Sequence, residues 1–391
     1  MTHRLLLLPA LACVGLVIAC TSGGEAHPTA SPGPSPTATA SQGPEAADFD
    51  RDPAFSADRA LTHAEALAAG IGSRPAGSAE ELAAAEYIRA QLETSDYEAE
   101  LQPFPIEVHE TVRSDLNVSH AGGTLEIDVV PLGGSGSGTG SGQLVAAGLG
   151  YAGDFPLEAD GNVVLIERGE ITFTEKASNA EAAGAVAVVI YNDEAGPFAG
   201  RLEEVPGIPV VSVTREDGEA FLDLMAGETL TATLAVEINA ISGESQNVVA
   251  RPADGACRII VGGHYDSVPA GPGANDNGSG TAVVIELART LAANGGGDVC
   301  FALFGAEEIG LLGSLAFVAA LSPHELRSLE AMLNFDMLGV GTGWPLGGTA
   351  ALVNLVGEVA EELDIAYRLS SSEPGGSDHA AFMEAGVPSV I

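Results

Sequence analysis

From about Gly161 to the end of the chain, short apolar runs alternate with longer segments whose apolar residues recur every three or four positions. Asn162 to Ile166, Ala185 to Tyr191 and Ile208 to Val213 are runs of strand length. Thr174 to Ala183 and Glu216 to Met225 have helical spacing and sit between or after them. A second series follows. Arg258 to Gly262, Val299 to Phe304 and Ala331 to Phe335 are mostly apolar, as strands covered on both faces are. Thr281 to Ala293 repeats Val284, Leu287, Ala288 and Leu291 along one helical face. This alternation predicts an α/β fold, with a mainly parallel sheet and helices on both faces. Polar residues just past the strand ends would then gather at one crevice.

Ahead of these series, Ser78-Ala79-Glu80-Glu81 reads as a capping box that opens an Ala-rich helix to about Leu92. Ser322-Pro323-His324-Glu325 is a second box with proline at the first helical position. Residues 101–130 alternate as strands do, for example in Pro105-Ile106-Glu107-Val108. Gly133 to Gly142 holds only Gly, Ser and Thr and is expected to be a flexible loop.

The start of the chain has a different character. His3 and Arg4 precede the apolar run Leu5 to Ala19, which is shorter than the about 20 residues a spanning helix needs. Residues 1–19 therefore read as a secretory signal peptide. Cys20 follows directly and resembles the lipobox of bacterial lipoproteins, which implies lipidation of Cys20. Residues 20–54 are expected to be a tether, since Ser, Thr, Pro, Gly and Ala dominate them and cannot build a core. The expectation is an exported bacterial protein, extracellular or at the cell surface, that meets the membrane only through its lipid.

Composition narrows the picture further. The 391 residues are enough for two domains. Fifteen Lys plus Arg against 54 Asp plus Glu give a net charge of −39, which argues against nucleic-acid binding. A hydrophobic content of 46% excludes wholesale disorder. Cys13 and Cys20 belong to the leader. Cys257 and Cys300 each stand at a strand start, seven residues before His264 and Glu307. If those strands are parallel neighbours, an exported protein permits a disulfide between them; two buried free thiols are the other reading.

Five polar features lie in order along the last block: His264-Tyr265-Asp266, Asn275-Asp276-Asn277, Glu307-Glu308, Asn334-Phe335-Asp336 and Ser377-Asp378-His379. Each alone is ordinary, since Asp-Asn-Gly is a common turn and adjacent glutamates are common at surfaces. Three of them directly follow apolar strands, however, and would converge. Imidazole and carboxylate donors at one crevice suit two-metal hydrolysis. A serine hydrolase is disfavoured, because no Gly-x-Ser-x-Gly elbow occurs.

On these motifs the block resembles the M28 family of co-catalytic zinc peptidases, the aminopeptidase Y family. The resemblance implies two Zn²⁺ per chain. His264 and Glu308 would hold one, Asp336 and His379 the other, and Asp276 would bridge them. It further implies Asp266 as the carboxylate that orients His264, and Glu307 as the general base that takes a proton from the metal-bound water. The run Gly161 to Gly169, with Phe173, Lys176, Asn179-Ala180 and Ala183-Gly184-Ala185, resembles the protease-associated (PA) domain.

The domains expected are thus a discontinuous peptidase domain at 55–118 and 245–391 and a small α/β PA insertion at 119–244. Members of the family continue past the last histidine motif, so a chain that stops at Val387-Pro388-Ser389-Val390-Ile391 is expected to be either a C-terminal truncation or a fold without a piece that relatives use. The implied activity is an aminopeptidase acting on peptides with a free N-terminus. An M28-type carboxypeptidase, dipeptidase or glutaminyl cyclase, or a non-catalytic binding lipoprotein, are the alternatives. Oligomeric state and side-chain preference are not legible.

Overall fold

The structure, a computed structural model, describes residues 52–202, 205–253, 256–370 and 376–391. The signal segment, Cys20 and the tether up to Arg51 lie outside the described residues. Two compact units emerge, one running to Ile106 and resuming at Gly243–Ile391, the other formed by Glu107–Ser242. The chain passes from one to the other inside long strands. The first division therefore falls at Ile106, not at residue 118, and no break in the alternating pattern marks it.

The first unit begins with α1 (Ala57–Glu65) and α2 (Ala79–Thr94), capped by the hydroxyls of Ser56 and Ser78. Strand β1 (Tyr97–His120) leads into the second unit, where its end pairs with β2 (Gly123–Ile127). There β3 (Val130–Pro131), β4 (Gly138–Ala146), β5 (Val163–Glu167), α3 (Phe173–Ala182), β6 (Ala187–Tyr191), β7 (Val210–Val213) and α4 (Arg215–Met225) follow. β4, β5, β6 and β7 are parallel neighbours in that order, and β3 adds an antiparallel edge. Alternate residues of β6 face opposite cores. Val188 and Ile190 pack with Ala177 and Ala180 of α3, while Val189 and Tyr191 pack with Phe221 of α4.

The Gly-rich stretch is not the flexible loop its composition suggests, because its second half forms β4. A Cβ on Gly142 would sit 2.6 Å from Asn162 Oδ1, and one on Gly140 would collide with the Val186 carbonyl. Glycine here permits close strand approach.

Strand β8 (Thr231–Pro252) returns the chain to the first unit. In order come β9 (Ile259–His264), α5 (Gly278–Ala293), β10 (Val299–Phe304), α6 (Leu312–Ala320), α7 (Pro323–Ser328) and β11 (Ala331–Asn334). Then follow β12 (Trp344–Leu346), α8 (Ala350–Glu362), β13 (Tyr367–Leu369), α9 (His379–Glu384) and β14 (Ser389–Val390). The sheet order is β14-β11-β9-β10-β8, with β1 pairing to β8. The first four strands are mutually parallel, and β8 runs antiparallel to β10.

Period-two alternation gives this sheet two buried faces. Ile259, Val261, Phe301 and Leu333 pack with Ala84 and Ile88 of α2 and Val284 and Leu287 of α5. Ile260, Ala302, Phe304 and Met332 pack with Phe317 of α6 and Phe382 of α9. The parallel pairing of β9 with β10 also decides between the two cysteine readings. Cys257 and Cys300 form a disulfide, with Cα atoms 5.4 Å apart.

Candidate metal centre

The in-register pairing of β9 with β10 and β11 fixes where the polar motifs arrive. His264 is the last residue of β9 and pairs with Phe304; Gly262 pairs with Asn334. Glu307 and Glu308 therefore leave β10 beside His264, and Asp336 leaves β11 level with it. Asp276 arrives from the loop before α5. Its neighbour Asn277 caps that helix, accepting from Gly280 N at 2.9 Å, and donates Nδ2–H to Phe335 O at 2.9 Å. One side chain thus ties the Asp276 loop to the Asp336 loop.

His264 Nε2 lies 3.2 Å from Asp276 Oδ1, 3.4 Å from Asp336 Oδ1 and 3.9 Å from Glu307 Oε2. Two groups of donors have all their atoms within 4.8 Å of one another: His264, Asp276 and Glu308, and His264, Glu307 and Asp336. His379 belongs to neither group among the described residues. It lines a cavity together with Asp336, and its Nδ1 is buried without a hydrogen bond. Because His264 Nε2 faces Asp276 and Asp336 alike, the positions admit pairing of His264 with Asp336 as readily as the expected pairing with Glu308. Ser377 Oγ donates to Asp336 Oδ2 at 2.8 Å and accepts from Asn334 Nδ2 at 2.7 Å, which orients that carboxylate.

Asp266 does more than its spacing from His264 suggests. Its Oδ1 is 3.4 Å from His264 Nδ1, but its clear hydrogen bonds are to backbone. Oδ1 accepts from Glu307 N at 3.0 Å and Oδ2 from Glu308 N at 3.2 Å. Arg74, wholly buried, also serves this region. Its guanidinium donates to the carbonyls of Tyr265 (2.7 Å), Gly72 (2.7 Å), Pro272 (2.6 Å) and Gly273 (3.1 Å), holding the loop that leads to Asp276. No motif in the sequence singles Arg74 out.

The electrostatics are those of crowded anions. Burial pushes the Glu307 carboxyl up to about 9; His264 opposes the rise, and Asp378, Asp266 and Asp336 add to it. Glu308 is pushed up to about 7 by burial and by Asp276. Burial works to lower His264, but its carboxylate partners carry it well above the ordinary imidazole value. Partly exposed carboxylates gathered around the buried His264 imidazole, with an unpartnered His379 nitrogen nearby, form a donor set that suits divalent cations of the zinc type. The residues present fit such ions.

Comparison with known proteins follows the same lines. The model of peptidase family M28 matches residues 247–391, and that of the PA domain matches 140–221. Aminopeptidase YwaD of Bacillus subtilis is 36% identical over 87% of this chain and 76% of its own length. Two solved structures resemble the fold. An aminopeptidase from Aneurinibacillus sp. strain AM-1 has a TM-score of 0.71 at 32% identity, covering 86% of this chain and 84% of that one. BSAP, a zinc aminopeptidase from Bacillus subtilis, has 0.67 at 36%, covering 87% and 85%. Other curated relatives are spanned over 51% to 66% of their length.

Proposed function

The chain belongs to peptidase family M28, and from that premise we propose that it is a zinc-dependent aminopeptidase that releases N-terminal residues from peptides. The observation that carries the reading is the convergence of His264, Asp276, Glu307, Glu308 and Asp336 at the ends of three adjacent parallel strands. His264, Asp276, Glu308, Asp336 and His379 would hold two Zn²⁺, with Asp276 as the shared ligand. When bound, the ions would supply Lewis-acid polarisation of the scissile carbonyl and acidify water.

The protein's own groups account for the rest. Glu307, which the positive charge of bound ions would keep ionised, takes the proton of the attacking water on its carboxylate and delivers it to the leaving amine. Asp266 holds the Glu307 and Glu308 amides, so the base and its neighbour are set by backbone as well as by packing. The acidic surroundings favour a substrate with a free, protonated α-amino group. A cavity of about 280 Å³ opens beside Asp336 and His379 and is lined by Leu338, Trp344, Leu346, Val356, Ile365 and Tyr367. Such a lining favours apolar side chains over charged ones.

Hydrolysis of a panel of aminoacyl-p-nitroanilides before chelation, after it, and after zinc is restored tests the reading. Activity lost and regained, strongest with apolar residues, is expected. No activity in any state with zinc retained would point to another M28 substrate, and preference for a free C-terminus in a peptide panel would transfer the chain to the carboxypeptidase reading. Export with a lipid on Cys20 is part of the same proposal. Cys20→Ala should move the protein out of the membrane fraction, and its staying there would refute the anchor.

A further inference from the structure

We infer that Glu81 is a positioning residue for Glu307, acting through the backbone of Gly305–Glu308; the inference rests on the general-base reading of Glu307. The Glu81 carboxylate does not return to its own helix cap. It is fully buried, and its Oε1 accepts from Ala306 N at 3.1 Å and from Ser245 Oγ at 2.7 Å. Oε2 accepts from Gly77 N at 2.7 Å. The amide beside Glu307 is therefore held by a side chain more than 200 residues away.

Four successive amides after β10 are bound in this way. Gly305 N donates to Asn247 Oδ1 at 3.3 Å, Ala306 N to Glu81, and Glu307 N and Glu308 N to Asp266. Ala306 has φ +54°, a left-handed conformation unusual for a residue with a side chain. That conformation turns successive N–H groups toward buried anions, as in an anion-binding backbone nest. Gly305 supplies an independent sign of the fit, since a Cβ there would lie 2.7 Å from Glu81 Oε1. The loop is shaped around this carboxylate, and the direction in which Glu307 leaves the loop follows from it.

The test uses the zinc-loaded full chain with Glu81→Leu, Glu81→Gln and Glu307→Gln. Leucine fills space but leaves the Ala306 amide without its acceptor; glutamine keeps one acceptor oxygen. Expected is a fall in kcat per zinc-loaded molecule of about 10–100-fold in Glu81→Leu, with KM nearly unchanged and partial recovery in Glu81→Gln. Hydrogen exchange of the peptide spanning Gly305–Glu308 should be about tenfold faster in Glu81→Gln, without a change across the rest of the sheet. This second readout serves if the leucine variant does not fold. Unchanged kcat and unchanged exchange, a rise in KM alone, or zinc loss with normal kcat in the loaded fraction would each overturn the positioning role. Full turnover in Glu307→Gln would instead overturn the base assignment itself.

Discussion

His63 offers a perturbation whose size can be worked out. It lies on α1, 1% exposed, with Nδ1 2.7 Å from Tyr87 Oη on α2. Burial lowers its pKa from 6.5 to about 4; Glu286 opposes the shift and Arg289 adds to it. Between those values the unfolded chain binds a proton that the folded chain refuses. Stability must then be whole above about pH 7 and fall as the pH drops through 6.5 toward 4. The full gap amounts to about 3 kcal/mol, of which about 2 kcal/mol is lost by pH 5.

His63→Gln keeps a hydrogen-bonding partner for the Tyr87 hydroxyl and does not titrate. Denaturant unfolding of both proteins can be followed by the fluorescence of Trp344, the only tryptophan, which lies in the same unit as His63. Subtracting one stability from the other cancels the metal centre, which both share. The variant should gain about 2 kcal/mol on wild type between pH 7.5 and pH 5. A difference that stays flat refutes the desolvation argument. A difference of the opposite sign would mean that His63 takes its proton within the fold, on the side of Glu286.

Other expectations follow from the same geometry. Glu307→Gln should bind zinc as wild type does, yet lose at least about 100-fold in kcat, read by metal analysis beside turnover. Cys257→Ala/Cys300→Ala opens a link between residues 43 apart and should cost about 2–4 kcal/mol in denaturant stability. Chelation should lower Tm, since clustered carboxylates then face one another without a cation, and zinc should restore it. Equal melting temperatures for the chelated and zinc-loaded protein would count against a metal centre that bears on the fold.

Much of this molecule is legible because parallel strands are written as apolar runs. Val299 to Phe304 is a strand at the bounds its pattern suggests, and the helices around it follow their periodicity. The motifs that close these strands meet because register is fixed once the strands are. What the pattern misses is where backbone, not side chains, decides. Gly138 to Gly142 looks like a linker because glycine suits both loops and crowded strands, and only the Val186 carbonyl and Asn162 opposite it distinguish the two. Arg74 is invisible because the partners of its guanidinium are all carbonyls, which carry no residue identity.

The two capping boxes show why the same signature can mean different things. In Ser322 to Glu325 the glutamate returns to its own cap, with Ser322 N donating to Glu325 Oε2 at 2.8 Å. In Ser78 to Glu81 the serine half forms, with Glu81 N donating to Ser78 Oγ at 3.0 Å, but the carboxylate reaches past the cap amide: Oε2 accepts from Gly77 N and Oε1 from Ala306 N. Glu325 sits at a surface helix end where the cap amide is its nearest donor. Glu81 is buried against a turn whose left-handed Ala306 presents an amide that water cannot reach. A buried N–H without a partner costs about 1–3 kcal/mol, more than the cap bond it replaces contributes. One carboxylate oxygen therefore goes to the turn while the other holds Gly77 N, and a residue that reads as helix punctuation becomes part of the support of Glu307.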